Sequence, residues 1–140
     1  MTKVIDASVV LKWFLEESEA VQARALREQH LKGDILLVAP DLLLYEVGNA
    51  LRFKRNFSPS DIQQALSELL HFQLELLGPT ERFLHHSVEL DHKTGLTYYD
   101  CVYLAVASDL ETQLITADKR LKEASGKLVA VTLLTQITAF

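Results

Sequence analysis

The chain holds one cysteine, Cys101, so it cannot form an intrachain disulfide. That residue reads as a small buried hydrophobe. No Cys/His spacing suggests zinc. Nothing in the sequence sets His30, His71, His85, His86 or His92 beside a thiol as its base. Long apolar runs are also missing, and none approaches the roughly 20 residues needed to cross a bilayer. The opening Met1-Thr2-Lys3 runs straight into a strand with no visible signal peptide, so the expected location is the cytoplasm. Positive charge is not in excess. Lys and Arg number 14 against 19 Asp and Glu, for a net −5, which counts against a broad electrostatic grip on nucleic acid. There is no repeat, linker or low-complexity segment. The 140 residues, 49% hydrophobic and 24% charged, fit one globular domain over 1–140 with room for a real core.

Strand and helix patterns alternate along the chain. Lys3 to Ile5 reads as a first strand, followed by helices from Ser8 to about Leu15 and from Glu19 to Lys32, the second ended by Gly33. Ile35 to Ala39 is a continuous apolar run, the mark of a strand covered on both faces. Pro40-Asp41 opens a helix to about Lys54. After the break at Phe57 to Asp61, another runs from Ile62 to about Phe72, with Ile62, Leu66, Leu69 and Leu70 on one face. Gln73 to Leu77 is a third strand. Thr80 caps a helix to His92 whose apolar side is Phe83, Leu84, Val88 and Leu90. Tyr98 to Leu110 is helical, Gln113 to Thr116 a strand, Asp118 to Ala124 a short helix and Leu128 to Thr132 a fifth strand. The tail to Phe140 has room for one last helical turn. This alternation predicts an α/β domain, its sheet mainly parallel and covered by helices on both faces.

Four acids stand out against this apolar background. Asp6 closes Val4-Ile5, Glu46 lies inside Leu42-Leu43-Leu44-Tyr45-Glu46-Val47, Asp100 precedes Cys101 to Ala107, and Asp118 follows Leu114 to Ala117. Taken singly, Asp6 reads equally well as a helix cap, Asp118 reads better as a cap because Lys119-Arg120-Leu121 opens a helical pattern after it, and Asp100 could cap the helix of Tyr103 to Leu110. Glu46 has no capping role. Arg52 and Lys54 lie six and eight residues on, off the favoured spacings for an ion pair on one helix. Carboxylates are rarely buried without a partner. Four in such places point to one shared partner, and Mg²⁺ or Mn²⁺ held by oxygen ligands is the natural candidate. Such an ion activates water and neutralises charge on a phosphodiester, and two ions at about 3.5–4 Å would clamp both reacting oxygens. Without the four acids the chain carries only −1.

Ser8, two residues after Asp6, and Thr116, two before Asp118, could each support a carboxylate through a hydroxyl, or simply cap a helix. Asn49 is three residues after Glu46 and shares its helix face. Arg52, Lys54 and Arg55 cluster at one helix end, and Lys119, Arg120 and Lys122 at another. Both clusters read equally as phosphate contacts or as solvated helix ends. In parallel folds a site lies beyond the carboxyl ends of the strands where strand order reverses. Asp6 and Asp118 would share one crevice if the first and fourth strands were neighbours.

Val4-Ile5-Asp6-Ala7-Ser8-Val9, then Glu46 with Asn49-Ala50-Leu51, then Tyr99-Asp100-Cys101-Val102-Tyr103-Leu104-Ala105, then Leu114-Ile115-Thr116-Ala117-Asp118-Lys119-Arg120-Leu121 resemble the PIN domain in order and spacing. The resemblance covers essentially the whole chain, whose size looks most like VapC-type toxins of toxin–antitoxin pairs. It implies a three-layer α/β/α sandwich with a five-stranded parallel sheet in order 3-2-1-4-5. It also implies an Mg²⁺- or Mn²⁺-dependent endoribonuclease, with Asp6, Glu46, Asp100 and Asp118 as metal-binding and catalytic residues and Ser8 and Thr116 as supporting hydroxyls. Lys12, Arg52, Lys54, Arg55, Lys119 and Arg120 become candidate RNA contacts. The expected partners are a second copy of the chain and a small antitoxin whose tail enters the site. Cys101 stands where the family often has Ala, a small change that leaves the acids intact.

Two other readings compete. One is a non-catalytic binding or regulatory module on the same fold. The other is an acid-pocket phosphatase or phospho-acceptor domain. The latter is disfavoured, because Ser8 stands where a nucleophilic-Asp phosphatase has a second Asp, and Val129 to Leu134 offers no Lys where a receiver domain needs one.

Overall fold

A computed structural model of the protein describes residues 1–137. The elements run β1 (Thr2–Ile5), α1 (Ala7–Leu11), α2 (Ala20–Lys32), β2 (Leu36–Pro40), α3 (Leu42–Leu51), α4 (Pro59–His71), β3 (Glu75–Leu77), α5 (Glu81–Thr94), α6 (Tyr98–Asp109), β4 (Leu114–Thr116), α7 (Lys119–Ser125), β5 (Val131–Leu133) and a 3₁₀ turn at Leu134–Gln136. The strands form one five-stranded sheet in order β3-β2-β1-β4-β5, with every pairing parallel. Successive residues of a strand point to opposite faces. Val4 and Ile5 in β1, and Leu114 and Ile115 in β4, are nonetheless all buried, so helices must cover both faces. The result is a three-layer α/β/α sandwich.

β1 lies at the centre, paired with β2 through Val4↔Val38 and with β4 through Val4↔Leu114 and Ile5↔Ile115. α6 packs against β1, β2 and β4 on one side and α5 on the other. It is therefore buried nearly all round, from Cys101 and Tyr103 through Ala107. Its alanines let it approach the sheet closely. Local signals set the helix ends. Ser58 and Asp61 make a reciprocal capping box at the start of α4. Gly33 and Gly95 close α2 and α5 at φ +85 and +71, a conformation that side chains disfavour.

Several boundaries differ from expectation. α1 stops at Leu11, not near Leu15, because the chain turns so that the Trp13 indole can donate to the Ala23 carbonyl at 2.8 Å. α3 ends at Leu51 instead of running to Lys54. β5 begins at Val131 rather than Leu128, since Leu128 still hydrogen-bonds back to Ser125. The expected last turn is the 3₁₀ turn at Leu134–Gln136, while 138–140 fall outside the described residues. Leu70, Leu84 and Val88 are exposed, not packed inward. On α5 the inward stripe is Phe83, Ser87 and Leu90, and Leu84 and Val88 form a second apolar stripe beside it.

Leu104 has no exposed surface and sits where α6 meets the sheet. Leu104→Ala is expected to lower unfolding free energy by about 3 kcal/mol, measurable as a shift of the urea midpoint at constant slope.

Candidate functional site

Parallel pairing of β1 with β4 is what brings distant residues together. Because Ile5 faces Ile115, the next residues, Asp6 and Thr116, meet at the carboxyl edge of the sheet. Thr116 donates its hydroxyl to Asp6 Oδ2 at 2.5 Å. Ser8 donates its own to Oδ1 at 2.5 Å, and the backbone N–H groups of Ser8 and Val9 donate to the same oxygen at 3.1 and 3.4 Å. Asp6 is thus both the N-cap of α1 and part of a cross-strand network. The network extends outward, since Ala117 N–H donates to Ser8 Oγ at 2.9 Å and Asp118 N–H to Thr116 Oγ1 at 3.1 Å.

The other acids come from helix starts and from α3. Asp118 caps α7, accepting from the N–H groups of Arg120 and Leu121 at 2.9 and 3.2 Å, with its side chain at the exposed rim. Asp100 is not a cap. Thr97 holds that position and accepts from Asp100 N–H at 3.1 Å, leaving the Asp100 carboxylate free in the first turn of α6. Glu46 lies on α3 and is half-buried. Its Oε1 accepts from the Tyr103 hydroxyl at 2.5 Å.

The acids act on one another. Burial pushes the Asp6 carboxyl up to about 6; the bonds from Ser8, Thr116 and Val9 oppose this, and the charge of Asp100 adds to it. Glu46 is raised by burial, opposed by the Tyr103 bond and reinforced by Asp100. Asp100 is raised by burial, lowered by Thr97, raised by Asp118 and lowered by Arg120. Asp100 is therefore the electrostatic hub, coupled to each of the other acids. All the donors are hard carboxylate oxygens, the chemistry that suits Mg²⁺ or Mn²⁺. Among the described residues, no three His, Cys, Asp or Glu side chains stand close enough, as placed, to hold an ion together. The donor set fits such an ion by chemistry and charge rather than as a closed cage.

The remaining candidates divide. Asn49 is exposed one turn beyond Glu46 on α3. Arg52, Lys54 and Arg55 are exposed past the end of α3, with Arg52 over the Phe53 ring at 4.9 Å. Lys119 and Arg120 are exposed at the start of α7, where Arg120 reaches the field of Asp100. Lys12 departs from expectation, because it is only 8% exposed. Its ammonium donates to the Ser18 carbonyl at 2.7 Å and pairs with Glu17 and Glu19 at 3.3 Å. It ties α1 to the start of α2 and is not presented to a phosphate. Tyr103 went unnoticed in the sequence. The available signal was a tyrosine three residues after Asp100 in an otherwise aliphatic helix, since a buried phenol needs a polar partner.

The PIN domain family model matches residues 3–127. The chain belongs to the PIN domain family. Its relatives within that family include Ribonuclease VapC1 of Mycobacterium tuberculosis, 30% identical over 127 residues, with 88% of this chain and 90% of the relative covered. Ribonuclease VapC3 of Pyrobaculum aerophilum is 31% identical over 133 residues, covering 92% and 98%. Among solved structures, VapBC2 of Rickettsia felis bound to a promoter DNA fragment matches with a TM-score of 0.73 over 95% of this chain and 98% of that one; at 13% identity this is a likeness of fold.

The raised Asp6 group gives a stability prediction. The folded state holds this proton more tightly than the unfolded chain, whose carboxyl has the ordinary value of 3.8. The associated stability is complete below about pH 3.8 and is lost as pH rises through about 6. At pH 7 without metal, the ionised Asp6 costs the fold about 3 kcal/mol. Asp6→Asn keeps a capping acceptor and should raise the metal-free melting temperature at pH 7, with the gain vanishing near pH 4. Thermal melts in chelator at both pH values test this, and a variant less stable than wild type at pH 7 contradicts it.

Proposed function

We propose that the protein is a divalent-metal-dependent endoribonuclease that hydrolyses RNA phosphodiester bonds, the toxin of a toxin–antitoxin pair, with residues 1–140 forming a single PIN domain. The observation that carries this reading is the buried Asp6 carboxylate held by Ser8 and Thr116 where β1 meets β4, with Asp118 just beyond β4 and the charge of Asp100 acting on Asp6 and Glu46. The VapC ribonuclease relatives support it.

In this reading the four acids are the metal-binding and catalytic residues, for one or two Mg²⁺ or Mn²⁺ ions. The ion, when bound, supplies activated water and charge neutralisation at the scissile phosphate. The chain's own residues prepare the place. Ser8 and Thr116 hold both Asp6 oxygens, so this carboxylate needs no reorganisation. Asp100 and Glu46 bring charge in from α6 and α3. Asn49, beside Glu46, is available as a further polar contact. Arg120 and Lys119, at the start of α7, offer positive charge for the RNA backbone, and Arg52, Lys54 and Arg55, exposed past the end of α3, are further candidate contacts. The protein works in the cytoplasm, and no described helix is long and apolar enough to cross a membrane. It pairs with a second copy, for which the exposed Leu84 and Val88 of α5 offer apolar area. A small antitoxin blocks it, a partner suggested by the VapBC2 assembly.

A second reading is a non-catalytic module of the same fold. The spread of the acidic side chains as placed favours it. One experiment separates the two. RNA cleavage is expected with Mg²⁺ or Mn²⁺, to stop in excess EDTA, and to fall by at least roughly 100-fold in Asp6→Asn and in Asp100→Asn, a few kcal/mol of lost transition-state stabilisation. Cleavage that survives chelation ends the metal mechanism. Failure to cleave any RNA, together with a melting temperature that millimolar Mn²⁺ does not move, favours the module.

A further inference from the structure

Tyr103 follows Asp100 by three residues on α6, and so shares its helix face. It is 1% exposed. Its hydroxyl donates to Glu46 Oε1 at 2.5 Å across 57 residues of chain. The bond thus ties α6, which carries Asp100, to the acid on α3. Among the described residues it is the one side chain that hydrogen-bonds Glu46. A buried tyrosine needs some partner, and a backbone carbonyl would have met that need. The partner here is instead the acid with the longest side chain of the cluster.

That difference has a physical meaning. Asp6 is fixed by two hydroxyls and two backbone N–H groups, and Asp118 by two backbone N–H groups. Glu46, on the middle of a helix, has no backbone donor within reach and more rotatable bonds to lose on gripping a cation. The phenol takes that loss at folding. It occupies Oε1 alone, so Oε2 keeps its lone pairs for another partner. We propose that Tyr103 is a positioning residue whose hydroxyl holds the Glu46 carboxylate in place for the divalent cation, acting on metal affinity through Glu46 and without touching RNA. This inference rests on the metal-dependent reading above.

The test is calorimetric titration of Mn²⁺ into the whole protein without RNA. Tyr103→Phe keeps the ring in its packing and removes only the donor. Its Mn²⁺ affinity is expected to fall about 10-fold, with kcat on RNA falling in step at sub-saturating Mn²⁺, recovering in excess Mn²⁺, and KM for RNA unchanged. In a Glu46→Ala background the same substitution should have no further effect on Mn²⁺ affinity. Glu46→Asp, which shortens the acid away from the phenol while keeping its charge, should likewise make Tyr103→Phe silent. If wild type binds Mn²⁺ and Tyr103→Phe binds it as tightly, the positioning role is overturned while the nuclease reading stands. An equal loss with and without the Glu46 carboxylate overturns it as well, reducing Tyr103 to packing. If wild type takes up no Mn²⁺, the metal-dependent reading itself falls and takes this one with it.

Discussion

Everything at the carboxyl edge of the sheet depends on the parallel pairing of β1 with β4. That pairing sets Ile5 opposite Ile115 and carries Asp6 to Thr116. A one-residue slip would turn every side chain of β1 to the other face and would take Asp6 away from Thr116. Core packing and site geometry are therefore one constraint. The same apolar residues that make β1 the central strand also force a carboxylate into a place where water cannot fully solvate it. Serine and threonine hydroxyls answer part of that cost. The remainder persists as the raised Asp6 group and its repulsion with Asp100.

The four acids are held to different degrees, and this grading follows from backbone position. Asp6 and Asp118 stand where a strand passes into a helix, and free N–H groups of the first turn hold them. Asp100 is one step further in, and Thr97 takes over the cap. Glu46 is beyond the reach of any such donor and depends on a side chain from another helix. Capping and ligation are thus not rival explanations for Asp6 and Asp118. One carboxylate can hold the helix and still present charge to the cleft.

Much of this was legible in the residues. Continuous apolar runs separated by helical patterns announced a parallel sheet, because only a strand covered on both faces reads that way. The isolation of each acid within apolar sequence marked the cluster. What escaped notice was tertiary. Lys12 meets Glu17 and Glu19 through a turn, and no helical spacing predicts those pairs. Leu84 and Val88 obey helical periodicity yet stay outside, since periodicity finds an apolar stripe without saying which of two stripes faces the core. The early end of α1 follows from the Trp13 contact to Ala23, a pairing between elements that local propensity does not encode.

The sheet order has a consequence for synthesis. β1 is the first strand made and lies at the centre, yet one of its two neighbours is β4, and Asp6 finds Thr116 only across 110 positions of chain. Contacts so remote in sequence close late. A nascent polypeptide lacking its last third has no opposing edge for Asp6, so on the ribosome the cleft cannot yet exist. The acidic edge is therefore completed only once β4 has emerged.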